Sequence, residues 1–161
     1  MPTHQGGFLL DGGVHFVAAL RLLLGKNDPL VSLVAYTAQL QDHLPPVDTI
    51  EAIAKTKSGA VGTISISFGT TAQGVEYQVG SEGGLVSAGR TKFIVDKEEK
   101  EFKHDSGVTA EVKAWGEGLV AGKPNPLQSP REALADLEVI EACLRSGEEG
   151  GRNIELKYQE V

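Results

Sequence analysis

Near the start of the chain runs the segment Gly6-Gly7-Phe8-Leu9-Leu10-Asp11-Gly12-Gly13-Val14-His15, in which a carboxylate precedes an imidazole by four positions. On a helix that spacing puts Asp11 and His15 on one face, about 40° apart around the axis. Imidazole as a class exchanges protons near neutral pH, so such a side chain suits proton transfer to or from a substrate hydroxyl. A carboxylate one turn away can orient the ring or bind the same substrate. A purely structural reading competes with this one. In it Asp11 caps the helix, Gly12 and Gly13 give a tight entry, and His15 is a hydrogen-bonded, half-buried side chain. Spacing alone leaves both readings open.

The element that must position the pair is a helix over Leu9–Leu24, with apolar residues at Val14, Val17, Ala18, Leu20, Leu22 and Leu24 and a stop at Gly25. Strands are predicted at Leu30–Leu40 and Thr49–Thr56, joined across Pro45 and Pro46, and at Ala60–Phe68 after a turn at Lys57-Ser58-Gly59. Shorter strands follow at Val75–Val79, Gly84–Ser87, Lys92–Val95 and Glu101–His104, with a charged turn at Asp96–Glu99. The period then becomes helical through Val112, Trp115, Leu119 and Val120 up to Gly122. Ser129, Pro130 and Glu132 mark the start of a third helix that runs to Arg145 and Gly147, and Asn153–Tyr158 alternates like a last strand. One domain over residues 1–161 is expected. Its class is α+β, a two-layer sandwich with an open-faced, predominantly antiparallel sheet and helices on one face.

The remaining polar residues add little. His4, His43 and His104 lack metal-ligand spacing, and no Ser, Thr or Cys has the surroundings of an activated nucleophile. Cys143, the single cysteine, falls in helical register with Ile140 and Leu144 and reads as core, as does Trp115 with Val112 and Leu119. Fifteen basic against 22 acidic residues give a net charge of -7, which argues against nucleic acid and anionic lipid surfaces. No signal-peptide pattern or uninterrupted apolar span is seen, so a reducing, cytoplasmic setting is expected.

The Gly6–His15 segment, with the apolar helix behind it, resembles the opening of the second domain in the glucose-fructose oxidoreductase and inositol dehydrogenase (Gfo/Idh/MocA) family. The likeness continues through the strand region with Gly59 and Gly69 at its turns, and through Pro124–Ser129 into the helix Ala133–Ser146. The resemblance implies that Asp11 and His15 stand at the family's substrate-binding carboxylate and catalytic histidine. It implies NAD or NADP as the cofactor of a full-length parent, and a small polar substrate such as a sugar or polyol. It also implies a homo-oligomer formed through the exposed sheet face.

The departure is large, since no Gly-rich phosphate loop and no Glu-Lys-Pro segment is present. Gly80–Gly84 and Gly116–Gly122 lack the strand, G-x-G-x-x-G, helix order, so no cofactor is expected on this chain alone and a separate nucleotide-binding domain is the implied partner. Truncation, a proteolytic fragment, or a stand-alone dimerisation or small-ligand module would each fit such a chain.

Overall fold

A computed structural model describes residues 7–160. The class is α+β, with three helices and strands that pair only in antiparallel fashion, divided between two four-stranded sheets. Two compact units result. One comprises residues 1–70 and 126–161, the other residues 71–125.

In the first unit α1 (Gly7–Leu24) is followed by β1 (Leu30–Ala38), β2 (Thr49–Thr56) and β3 (Val61–Ser67). A single 3-10 turn at Pro126–Gln128 then leads into a long helix, Pro130–Glu148, and a two-residue strand, Ile154–Glu155. With the second unit's elements numbered in chain order, these last two are α3 and β8. The strand order is β3-β2-β1-β8. Paired residues share a face, so Leu33, Ala35, Ile50, Ala52, Ala54, Ile64, Ile66 and Ile154 all point the same way, and all are buried. Leu9 and Val17 of α1 and Val139, Ile140, Ala142 and Cys143 of α3 complete this core. The opposite face, with Tyr36, Glu51, Ile53, Lys55, Val61, Thr63 and Ser65, is exposed.

Local signals place several boundaries. The Ser129 hydroxyl accepts from the Glu132 N–H at 3.2 Å, with Pro130 in the first turn, as the capping pattern requires. Gly25 ends α1 in the left-handed conformation at φ 73, its N–H donating to Arg21 O at 3.0 Å. β1 stops two residues before its predicted end because the N–H groups of Leu40 and Gln41 turn away to the Asp48 carboxylate. Ser146, fully buried on α3, takes the Ala35 N–H of β1 at 2.8 Å and donates to Arg152 O at 2.7 Å. It occupies the edge of β1 beyond the short β8.

α1 has the length and composition to cross a bilayer, but its inner ridge is buried protein core. Its Arg21 is tied to α3 by ion pairs with Glu132 at 2.9 Å and Asp136 at 2.5 Å. In this chain it is a core helix.

The second unit holds β4 (Glu76–Ser81), β5 (Gly84–Gly89), β6 (Lys92–Val95), β7 (Glu98–Glu101) and α2 (Val108–Ala121), with the strands in sequential order. The turn predicted at Asp96–Glu99 is only Asp96 and Lys97, and the last strand comes three residues earlier than its charge-blind alternation suggested. β7 has no apolar face and owes its place to ladder pairing with β6 and to a Lys92–Glu99 ion pair at 2.7 Å. The core role predicted for Trp115 is not observed. It is 58% exposed, and α2 buries none of its residues, because helical register defines a stripe without supplying anything to cover it.

Candidate functional site

Three ridges of α1 decide what its residues can do. Leu9, Gly13 and Val17 recur at four-residue intervals and are buried. A Cβ on Gly13 would lie 3.2 Å from Ile140 Cδ1, so this ridge is pressed onto α3. The next ridge, Phe8, Gly12 and Phe16, wraps the ring of Phe68. Its phenylalanine centroids lie 5.9 Å and 6.3 Å from that ring, and a Cβ on Gly12 would come within 2.8 Å of Phe68 Cζ. The third ridge carries Asp11, His15, Ala18 and Leu22, and all four are exposed.

The candidate pair therefore sits one turn apart on the outer face of a helix fixed on its other two sides. Neither Asp11 nor His15 is engaged by another described residue in a hydrogen bond or ion pair. Asp11 does not cap α1 as one sequence reading had it. The helix begins at Gly7, since Leu9 must already be helical to stand in register with Gly13 and Val17, and Asp11 lies in its second turn. Gly12 and Gly13 are not a helix entry either; they are the close-contact positions of its interior. His15 is exposed rather than half-buried.

The end of the sheet beneath this part of α1 is stiffened by a residue that sequence reasoning passed over. Asp48 is fully buried after the Pro-Pro loop. Its carboxylate accepts from Leu40 N–H at 3.1 Å, Gln41 N–H at 2.9 Å and the Thr49 hydroxyl at 2.9 Å. Burial pushes its pKa up, but the bonds from Leu40, Thr49 and Gln41 outweigh burial and hold the carboxyl below its ordinary value. Gly69 lies against it, where a Cβ would come within 2.7 Å of the carboxylate. Pro45, in the same loop, abuts Gly7 at the start of α1. The available signal was an acidic residue directly before a strand and after two prolines, which is a turn-forming context.

Other candidates are not brought to the pair. His43 is exposed in the β1–β2 loop, His104 is exposed after β7, and His4 lies outside the described residues. Among the described residues no cluster of three or more His, Cys, Asp or Glu could hold a metal ion. Cys143 is buried, and burial pushes its thiol up to about 12. Gly80–Gly84 spans the β4–β5 hairpin and Gly116–Gly122 runs through the end of α2, so neither cradles a phosphate at a helix N-terminus. A cavity of about 310 Å³ lies at the far end of α1, lined by Ala18, Leu22, Pro29, Leu127 and the Arg21–Glu132 pair.

Fold and site together define an α+β domain whose helical layer presents a carboxylate and an imidazole outward from its first helix. The family model described as the oxidoreductase family, C-terminal alpha/beta domain, matches residues 1–156, and the chain belongs to this Gfo/Idh/MocA family. It is 38% identical over 156 residues to the dehydrogenase FPY6 of Fusarium mangiferae, which covers 90% of this chain and 45% of that protein. An oxidoreductase of Thermotoga maritima has the same fold with a TM-score of 0.84 and 33% identity, over 96% of this chain and 46% of that one. The WlbA dehydrogenase of Bordetella pertussis, solved with NADH and UDP-GlcNAcA, shares the fold at a TM-score of 0.65 and 24% identity, over 94% of this chain and 45% of that one. The chain thus spans about half the length of the relatives it matches.

Proposed function

We propose that this chain is the substrate-binding and oligomerisation half of an NAD(P)-dependent oxidoreductase acting on a sugar, polyol or related hydroxyl compound in the cytoplasm, and that it does not turn over by itself. The observation that carries the reading is the outward placement of Asp11 and His15, one turn apart and free of other described partners, on a helix immobilised along its other ridges. Side chains with no structural task, held rigidly by their backbone, are what a binding constellation requires. His15 accepts or returns the proton of a substrate hydroxyl. Asp11 accepts a hydrogen bond from a neighbouring hydroxyl or from the imidazole.

The nucleotide and sugar ligands of the WlbA dehydrogenase support the cofactor and substrate class. The described residues themselves do not fit a dinucleotide, as their glycine clusters close a hairpin and end a helix. No chemical step is therefore assigned to a cofactor here, and the nucleotide site belongs, in this reading, to a separate domain. Oligomerisation is supported by the uncovered sheet face in the first unit. In the second unit, one sheet face gathers Tyr77, Val79, Val86, Ala88, Phe93 and Val95, none of them buried.

The test joins this chain behind the nucleotide-binding half of a relative such as FPY6 and compares it with its His15→Ala variant. Turnover should fall by about 10²–10⁴-fold, the range of lost acid/base catalysis. Unchanged turnover would remove His15 from the reaction. Calorimetric titration of the chain alone with NAD(H) and NADP(H) should show no binding; tight binding would overturn the assignment of the nucleotide to another domain.

A further inference from the structure

The open face of the first unit's sheet carries its charges in a pattern that selects one way of pairing with a copy of itself. Along β2, Glu51, Ile53 and Lys55 alternate with the buried Ala52 and Ala54, so all three stand on the open face. Ile53 is 57% exposed at the middle of this row, flanked by Val34 on β1 and Thr63 on β3. Glu51 is fixed there by the Ser65 hydroxyl, which donates to it at 2.7 Å. Lys55 has no hydrogen bond or ion pair with another described residue. Four positions along a strand separate the two charges by about 13 Å, too far to pair within one chain and beyond the screening length of physiological salt.

We infer that two copies pack through this face about a two-fold axis that lies between the sheets and runs perpendicular to the strands at Ile53, so that Glu51 of each copy meets Lys55 of the other. The inference rests on the oligomerisation reading above and adds the geometry. Face-to-face sheets related by a two-fold need an axis in the plane between them, and aligned packing allows two choices. An axis along the strands sets Glu51 over Glu51 and Lys55 over Lys55, which repel. An axis across the strands reverses β2 against its copy and sets each carboxylate over an ammonium, twice by symmetry, with the two Ile53 side chains in contact at the centre. Pairs of this kind add little affinity but choose between arrangements, because the alternative juxtaposes like charges.

The test is sedimentation equilibrium of the chain and of Glu51→Lys, Lys55→Glu, the double exchange and Ile53→Asp, with circular dichroism verifying the fold. All four positions or exchanges are on exposed side chains, so folding is retained. Expected is a dimer whose dissociation constant rises about tenfold or more in either single charge reversal, since each creates two like-charge pairs, and returns to within about threefold of the original in the double exchange. A dimer broken by Ile53→Asp but indifferent to the charge reversals would keep the face and overturn the axis. A dimer indifferent to all four would place the contact elsewhere and overturn the inference. A chain that stays monomeric at high micromolar concentration would overturn the oligomerisation reading itself.

Discussion

Gly12 lies so close to the ring of Phe68 that a single added carbon would sit 2.8 Å from Cζ. Gly13, its neighbour, has 3.2 Å to the flexible end of Ile140. Alanine is the better helix former by ~1 kcal/mol, so both substitutions start with the same gain. At Gly12 the ring is also held by Phe8 and Phe16, and overpacking of ~1–3 kcal/mol outweighs that gain. Gly12→Ala should therefore lower stability in urea unfolding, and Gly13→Ala should be close to neutral.

Asp48 should govern part of the acid sensitivity. Its folded pKa is depressed, so its contribution is present above the unfolded value near 3.8 and is lost as pH falls through the lower folded value. Asp48→Ala leaves buried N–H groups of Leu40 and Gln41 unpaired and should cost about 2–3 kcal/mol at neutral pH. The stability difference between the original chain and Asp48→Asn should narrow as pH is lowered from 4 to 2, read from urea midpoints at each pH.

Cys143 should be inert to a thiol reagent such as a maleimide at pH 8. Its thiol is buried and pushed up to about 12, so both access and thiolate are lacking. Labelling should follow global unfolding and accelerate with added denaturant. Rapid labelling of the native chain would show that the α3 side of the core opens locally.

The one tryptophan reports on α2. Trp115, Val112, Leu119 and Val120 form an exposed stripe, so the isolated chain should show a water-like emission maximum and full quenching by acrylamide. Trp115→Ser should change stability by no more than ~0.5 kcal/mol, the usual range for exposed positions. Blue-shifted, unquenched emission would mean that the stripe is covered in the isolated chain.

What the sequence determined by itself was local. β2 and β6 have their predicted boundaries, Ser129 caps α3, Gly25 and Gly122 end α1 and α2, and Asp11 and His15 share one helix face, because each depends on residues a few positions apart. The likeness to the family was equally legible in the Gly6–His15 segment. Tertiary structure decided which face of each element meets a neighbour. It turned Asp11 from a cap into an outward-facing carboxylate and made Gly12 and Gly13 contact points against Phe68 and Ile140. It buried Asp48 under two backbone N–H groups and left Trp115 in water. Periodicity specifies a stripe, whereas burial requires a second surface brought from far along the chain, and no short stretch of sequence names that surface.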